Sequence, residues 1–277
     1  MRSLILASAV VISSLVSAYV DLGPAYRIKL PGGEDWKYVK KYAKDPVFVE
    51  GLEFSDDATI IESAGGYSGS KVQKLNIDHI QKKSSTFKYQ DLPQNFFGEG
   101  CTLFNGHIFM MTYREGKVFV YEQATLKKVK EFSMPKDMEE GWGLTHDATH
   151  LWASDGTARL FKIDPETFTV QEIIDVKTKD GKDIHYINEL EHVGSHIYGN
   201  VLPQNIIIKI DKESGIIEKV WSLEDLHKMQ MDHNQKHKVA YWDSMNNVMN
   251  GIAYRKSTNT FFVTGKNWNY IFEVQLS

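Results

Sequence analysis

A short tripeptide that opens an apolar run recurs five times along the chain and constrains the fold more than any other feature. Its form is x-Gly-apolar, with glutamate in place of glycine in the fourth copy. The second residues of the copies are Gly51, Gly100, Gly143, Glu189 and Gly251. They are separated by 49, 43, 46 and 62 residues, and a repeat of this length is typical of a four-stranded propeller blade rather than a helix pair.

Strand-like runs follow each tripeptide in the same order. Runs rich in β-branched and aromatic residues predict second strands at 59–63, 107–113, 150–154, 196–200 and 260–264. Third strands are predicted at 71–77, 117–121, 158–163, 205–210 and 270–276, and fourth strands at positions such as 127–132, 169–176 and 217–223. The sequence therefore predicts an all-β fold, a five-bladed β-propeller.

The fifth repeat has no room for a fourth strand before Ser277. A propeller that did not close would leave unpaired strand edges, so we expect an N-terminal strand to complete the last blade. The run Trp-Lys-Tyr-Val-Lys-Lys-Tyr at 36–42 is the candidate. The alternative is a loose N-terminal arm.

The first 18 residues have the pattern of a secretory signal peptide, with Arg2, an apolar stretch and small residues before a predicted cleavage after Ala18. An uncleaved anchor is the alternative, but the apolar stretch is short and broken by serines. We therefore expect a single propeller domain at 19–277, secreted or in the lumen of the secretory pathway, monomeric and without a stable membrane anchor. Cys101 is the only cysteine, so no internal disulfide can form.

The charge of the chain excludes one class of partner. It has 32 basic and 36 acidic residues, and no basic stripe with interleaved aromatic residues is present. We therefore expect no nucleic-acid binding.

The repeat predicts where functional side chains converge. In an antiparallel sheet the start of the first strand and the end of the second lie at the same end. The first residues of the five tripeptides are Glu50, Glu99, Trp142, Asn188 and Asn250, and the residues that follow second strands include Tyr113, Leu202 and Lys266. One mouth of the central channel is thus predicted to hold a small-molecule pocket with proton-transfer groups, amides and an aromatic wall.

Six segments, in order along the chain, resemble the plant and bacterial glutaminyl-peptide cyclotransferases. They are Phe-Gly-Glu-Gly at 97–100, Gly-Trp-Gly-Leu at 141–144, Ser-Asp-Gly-Thr at 154–157, Asn-Glu-Leu-Glu at 188–191, Asn-Gly-Ile-Ala at 250–253 and Val-Thr-Gly-Lys at 263–266. The resemblance extends from about residue 48 to residue 277. It implies a five-bladed propeller that converts an N-terminal glutamine into pyroglutamate and releases ammonia, unrelated in fold to the zinc-dependent animal enzyme.

The resemblance also implies roles for individual residues. Glu99 would be the proton carrier, since one carboxylate can take a proton from the attacking amine and give one to the leaving nitrogen. Lys266 would bind the carboxamide oxygen or tune Glu99. Asn188 would hydrogen-bond the substrate, and Trp142 would stack on the closing ring. Each also has a structural alternative: a hydrogen bond to the next blade for Glu99, a solvated loop lysine for Lys266 and a core side chain for Trp142.

Three of the predicted substrate-binding residues depart from the family pattern. Glu50 stands where glutamine is usual, and Tyr113 and Leu202 stand where tryptophan is frequent. Losing aromatic walls is expected to loosen substrate packing, whereas a second carboxylate is expected to favour a cationic α-amine. Asn250 completes the predicted substrate-binding set.

Two further interpretations compete with a cyclotransferase. One is a propeller that binds a peptide or partner at the mouth without catalysis. The other is a metal-dependent lactonase-type propeller, in which Glu50, Asn188 and Asn250 would coordinate calcium. For the cyclotransferase we expect a Gln-initiated peptide or protein as partner, no catalytic metal and no cofactor, with a structural cation in the channel as an open alternative.

Overall fold

The structure, a computed structural model, describes residues 34–78, 86–239, 242–244 and 246–277 as strands joined by short turns, with one helix. The strands are β1 (Trp36–Ala43), β2 (Val49–Asp56), β3 (Thr59–Ala64), β4 (Lys71–Asn76), β5 (Thr86–Asp91), β6 (Gly98–Phe104), β7 (His107–Thr112), β8 (Lys117–Glu122), β9 (Lys128–Ser133), β10 (Leu144–His146), β11 (Leu151–Ser154), β12 (Arg159–Asp164), β13 (Thr169–Asp175), β14 (Ile187–Val193), β15 (His196–Val201), β16 (Ile206–Asp211), β17 (Ile217–Ser222), β18 (Met249–Arg255), β19 (Thr260–Gly265) and β20 (Tyr270–Leu276). The helix, α1 (Glu224–Lys236), lies inside the longest repeat interval. The predicted signal peptide at 1–18 lies outside the described residues.

The strands form five four-stranded sheets, which confirms the predicted five-bladed propeller. Four sheets follow the chain order, β2 to β5, β6 to β9, β10 to β13 and β14 to β17. The predicted second, third and fourth strands agree with the observed ones to within one residue at either end. Among the described residues, no helix is long and apolar enough to cross a membrane.

The fifth blade has the order β1-β20-β19-β18, so the N-terminal strand closes the propeller as predicted. β1 pairs antiparallel with β20, from Trp36 opposite Leu276 to Ala43 opposite Tyr270. Tyr42 anchors this strand, because its hydroxyl donates to Glu273 at 2.8 Å and its ring stacks on Phe262 at 5.4 Å between centroids. The interpretation of this segment as a loose arm is wrong.

Close approach of the inner strands explains the glycines of the repeat. A Cβ atom on Gly51 would lie 2.6 Å from the backbone nitrogen of Cys101, in the first strand of the next blade. A Cβ on Gly100 would overlap the carbonyl of Trp142, and one on Gly143 would overlap the carbonyl of Asn188. Only glycine therefore lets successive blades pack this tightly around the axis.

Polar side chains fasten each blade to the next at the level of the repeat. The Ser63 hydroxyl donates to the Glu99 carbonyl at 2.7 Å, and the Ser154 hydroxyl donates to the Asn188 carbonyl at 2.6 Å. The side-chain amide of Asn250 donates to the Val49 carbonyl at 2.9 Å. These bonds hold the first residues of the tripeptides in place around the channel.

Candidate active site

A buried ion pair between Glu50 and Lys266 lies at the centre of the channel mouth. Glu50 begins the inner strand of the first blade and is 0% exposed, and Lys266 follows β19 of the fifth blade. The Lys266 ammonium lies 2.8 Å from each Glu50 carboxylate oxygen. The Asn250 side-chain amide adds a donor to Glu50 at 3.1 Å, so protein groups surround this carboxylate.

Glu99 is the second carboxyl group at this position. It is 6% exposed and hydrogen-bonds to Glu50. Burial raises the pKa of Glu99 well above its usual range, the negative charge of Glu50 raises it further, and Lys266 opposes the rise. Burial also raises the pKa of Glu50, but Lys266 and the hydrogen bond with Glu99 act in the opposite direction. Burial and the charge of Glu50 therefore favour the protonated form of Glu99, whereas Lys266 and the hydrogen bond from Glu99 favour the ionised form of Glu50.

Lys266 is fixed from a second side. Its ammonium lies over the ring of Phe48, 4.7 Å from the centroid, in a cation–π contact. Its backbone N–H donates to the Val248 carbonyl at 2.9 Å. The lysine is therefore a buried, oriented cation at the mouth rather than a solvated loop residue.

Two asparagine side chains present buried oxygens without partners. Asn188 is 2% exposed, Asn250 is 0% exposed, and in the described part of the chain neither Oδ1 atom accepts a hydrogen bond. Buried polar atoms are normally paired. These two oxygens are therefore candidate acceptors for N–H groups of a bound ligand.

Aromatic rings form one wall of the mouth around Phe97. Its ring centroid lies 5.5 Å from that of Tyr67, 5.8 Å from that of Tyr113 and 6.1 Å from that of Phe48. Tyr113 follows β7, where the sequence placed it. The structure thus brings Tyr113 together with Phe97 and Phe48, which the repeat analysis did not place at the mouth.

Trp142 continues the wall on the third blade. Its indole N–H donates to Glu140 at 2.9 Å, and Glu140 also pairs with the Arg114 guanidinium at 2.5 Å. Gly156 lies against the indole ring, where a Cβ atom would be 2.6 Å from a ring carbon. The tryptophan is buried and held at both its edge and its face, which suits a rigid stacking surface.

Leu202 directly follows β15 of the fourth blade. Its backbone N–H donates to the Tyr186 carbonyl at 2.9 Å, and the Tyr186 N–H donates to the Gly156 carbonyl at 2.8 Å. Because Gly156 packs on Trp142, these residues form a continuous rim between the third and fourth blades. The sequence analysis did not predict Tyr186.

A sequence signal for the missed residues does exist. Phe48, Phe97 and Glu140 each stand two positions before a tripeptide's first residue, at Glu50, Glu99 and Trp142. Alternate residues of an extended chain point to the same side. A search for residues two positions upstream would have found all three.

Further acids line the channel. Glu189, the one departure from glycine in the repeat, accepts the backbone N–H groups of Leu52 at 3.0 Å and Ile252 at 2.7 Å. Glu191 accepts the Tyr254 N–H at 2.8 Å, and Glu53 accepts the Leu103 N–H at 2.7 Å. Each of these acids already accepts a protein hydrogen bond.

These channel acids are the candidate ligands for a structural cation, which stays a prediction. Among the described residues, a three-ligand cluster with ligand atoms within 4.8 Å of one another occurs elsewhere, at His196, Asp211 and Glu218 of the fourth blade. There the Lys209 ammonium lies 3.1 Å from Glu218 and competes with any cation. This cluster therefore does not resemble a built metal site.

Comparison with known proteins places this geometry in context. The family model described as glutamine cyclotransferase matches residues 20–276. A glutaminyl-peptide cyclotransferase from Arabidopsis thaliana is 29% identical over 239 residues, which cover 86% of this chain and 70% of that protein. The crystal structure of a Myxococcus xanthus glutaminyl cyclase matches with a TM-score of 0.78 and 24% identity, over 90% of this chain and 99% of the other. The resemblance seen in the sequence is confirmed.

Proposed function

Since this chain belongs to the glutamine cyclotransferase family, we propose that it is a glutaminyl-peptide cyclotransferase whose reaction takes place at the channel mouth with Glu99 as the proton carrier. The enzyme converts the N-terminal glutamine of a peptide or protein to pyroglutamate and releases ammonia. The observation that carries the assignment of the site is the buried Glu99 carboxyl group, which lies beside Glu50 and Lys266 at the end of the channel.

The reaction moves one proton from the attacking nitrogen to the leaving nitrogen. The neutral α-amine forms a bond to the carbonyl carbon of the glutamine side chain, and the bond from that carbon to the side-chain nitrogen breaks. Glu99 gives its proton to the leaving nitrogen, which departs as ammonia, and recovers a proton from the α-nitrogen. The enzyme ends with the proton count with which it began, as required of a general acid–base catalyst.

The surrounding groups supply binding and charge stabilisation. Lys266 is the buried cation that can stabilise negative charge developing on the carboxamide oxygen. The unpartnered Oδ1 atoms of Asn188 and Asn250 accept N–H groups of the substrate. Trp142 and Tyr113 line the pocket and exclude water, so these electrostatic contacts act in a medium of low dielectric constant.

The same geometry disfavours the metal-dependent alternative. A calcium site built on Glu50, Asn188 and Asn250 needs the Glu50 oxygens as ligands. The Lys266 ammonium already lies 2.8 Å from both of them. We therefore propose catalysis without a metal or other cofactor, whereas the monomeric state and secretion stay predictions.

The test is cyclisation of a synthetic Gln-initiated peptide. The reaction is monitored through the ammonia released and through the change in peptide mass on conversion to pyroglutamate. We expect Glu99→Gln to keep the fold and lose activity by about 10² to 10⁴-fold, because the amide keeps the shape but cannot carry a proton. A chelator should leave wild-type turnover within about twofold, since a catalytic Lewis acid would contribute far more.

Three results would contradict this proposal. Near-normal turnover of a Glu99→Gln variant with an unchanged melting temperature would remove Glu99 as the proton carrier. A chelator that abolishes activity in a protein that stays folded, with activity restored by added zinc, would show that the enzyme depends on a metal. An inactive wild type that still binds the peptide would support the non-catalytic alternative.

A further inference from the structure

We infer that Glu50 is a positioning residue for this reaction: its buried carboxylate, held by Lys266 and Asn250, accepts a hydrogen bond from the carboxyl O–H of Glu99 and keeps Glu99 in its acid form. The inference rests on the proposed function. It adds that Glu50 helps to set the pH range over which the enzyme is active. In this view Glu50 and Glu99 share one proton, and Glu50 acts only through Glu99.

The geometry supports this division of roles. Glu50 is fully buried, its two oxygens are engaged by Lys266 at 2.8 Å, and Asn250 donates to one of them at 3.1 Å. It therefore has a counter-charge and donors that stabilise the ionised form. Glu99 hydrogen-bonds to Glu50 and has residual exposure of 6% at the mouth. Two carboxyl groups in hydrogen-bond contact are not both ionised without a large penalty, so one of them carries a proton.

Other charged groups around the pair act in the same direction or are neutralised. Glu140 adds a negative charge that favours protonated Glu99, but it is itself paired with Arg114. On the rim, the Tyr67 hydroxyl donates to Glu115, and the pKa of Tyr67 is raised to about 12, first by burial and then by Glu115. Deeper in the channel, burial raises the pKa of Glu189 well above its usual range, and the charges of Glu53 and Glu50 add to the rise, so its neutral form is favoured. Lys266 is the cation that faces the pair directly.

The consequence is a predictable response to pH. A group whose pKa is raised stays protonated up to that higher value, so activity that needs the acid form of Glu99 is lost only as the pH rises through it. Removing the negative charge of Glu50 takes away the repulsion and releases Lys266 to pair with Glu99. Both changes lower the pKa of Glu99, and the alkaline loss of activity then begins at lower pH.

The first experiment compares kcat against pH for wild type and Glu50→Gln at saturating Gln-peptide. We expect the alkaline limb of the variant to move to lower pH by about one to three units, the size of shift that neighbouring charges produce. Ionisation of the free substrate amine is the same for both enzymes, so it cancels in the ratio of their kcat/KM profiles, which are measured beside kcat.

Glu62→Gln is the matched control, because Glu62 is also a fully buried carboxylate paired with a lysine. Lys44 lies 2.6 Å from it, on the seam between the first and fifth blades and outside the channel mouth. Losing this pair should destabilise the fold about as much as losing the pair of Glu50 and Lys266. It leaves the contact between Glu50 and Glu99 in place. The alkaline limb of Glu62→Gln should stay where it is in wild type.

A second measurement does not depend on turnover or on the folding of the Glu50 variant. In wild-type protein labelled with ¹³C at glutamate carboxyl groups, NMR should show, at neutral pH, a protonated carboxyl group whose signal is absent from the spectrum of Glu99→Gln. A wild-type protein that lacks activity but shows this signal would contradict the proposed function and still support the shared proton between Glu50 and Glu99. A fully ionised Glu99 at neutral pH, or an unmoved alkaline limb in a folded Glu50→Gln enzyme, would overturn the inference.

Discussion

At the scale of single residues, Glu50 shows how one charge changes a site. By the resemblance in its sequence, glutamine is usual at this position, whereas this chain places a buried carboxylate at its channel mouth. Two features bear on the charge of this carboxylate: the Lys266 ammonium lies against it, and the neighbouring Glu99, whose pKa burial raises, favours its protonated form. A buried ion pair contributes little net stability once its desolvation is counted, so the importance of Glu50 is expected in the pH profile rather than in the free energy of unfolding.

Leu202 is the residue whose replacement should improve the site. It lies on the rim beside Tyr186, which is linked through Gly156 to the buried face of Trp142. We expect Leu202→Trp to extend the aromatic wall and raise kcat/KM for Gln-peptides by about two- to tenfold, since aromatic contacts are worth about 0.5 to 1.5 kcal/mol.

Steady-state kinetics and a thermal melt of wild type and Leu202→Trp check this prediction. A lower kcat/KM with unchanged melting would indicate that tryptophan blocks the entrance. Unchanged kinetics in a folded variant would show that the side chain at this position does not face the substrate.

At the scale of elements, the turn between β10 and β11 connects two blades through Asp147. This carboxylate accepts the N–H groups of Thr149 at 2.8 Å and His150 at 2.9 Å, the Trp152 indole N–H at 2.9 Å and the Lys212 ammonium at 2.6 Å. Burial alone would raise the pKa of Asp147, but these donors outweigh it and hold the pKa below its usual range. The turn is thus stabilised by the Asp147 carboxylate, which must stay ionised to accept these hydrogen bonds.

We expect Asp147→Asn to lower the free energy of unfolding at pH 7 by about 3 kcal/mol, because it breaks a buried pair and leaves Lys212 without its carboxylate. A depressed pKa contributes stability above the unfolded value of about 3.9, and that stability is lost as the pH falls below it. The difference between wild type and variant should therefore shrink in acid. Urea unfolding at pH 7 and near pH 3 measures it.

Asp164→Asn is the control for this experiment. Asp164 accepts backbone N–H groups of Glu166 and Thr167 in the turn between β12 and β13, but it is only partly buried and these hydrogen bonds stay within that turn. Asp164→Asn should therefore lower the free energy of unfolding by less than Asp147→Asn does. Equal losses, or a difference from wild type that persists unchanged in acid, would show that the ion pair with Lys212 is not what holds the turn.

At the scale of the whole molecule, stability depends on closure of the ring by β1. Pairing with β20 covers what would otherwise be a free edge of the fifth blade. The strand has mostly exposed side chains, and Tyr42 is its one buried aromatic residue. Closure therefore depends strongly on a single anchor.

We expect Tyr42→Ala to lower the free energy of unfolding by about 3 to 5 kcal/mol, through the lost ring contact with Phe262 and the lost bond to Glu273. Tyr38→Ala on the same strand should stay within about 0.5 kcal/mol of wild type, since Tyr38 is 39% exposed. Urea unfolding gives both values, and amide exchange in β20 should speed up only in the Tyr42 variant. Equal effects of the two changes would mean that this anchor does not hold the closing strand.

The sequence by itself determined the propeller and the approximate position of the site. The reason is local: strand periodicity, turn residues and glycines at close approaches are all encoded within one repeat of the chain. The same repeat predicted that Glu99, Trp142, Asn188 and Asn250 share one end of the channel. Even the closing strand at 36–42 followed from counting strands.

Only the tertiary structure decided which side chains pair and which are charged. Glu50 and Lys266 are 216 residues apart in sequence, and their contact exists because the first and fifth blades meet at the closure of the ring. Protonation of Glu99 depends on burial by several blades together with the charge of Glu50. Side-chain distances and desolvation are properties of packing between repeats, so no pattern within a single repeat could specify them.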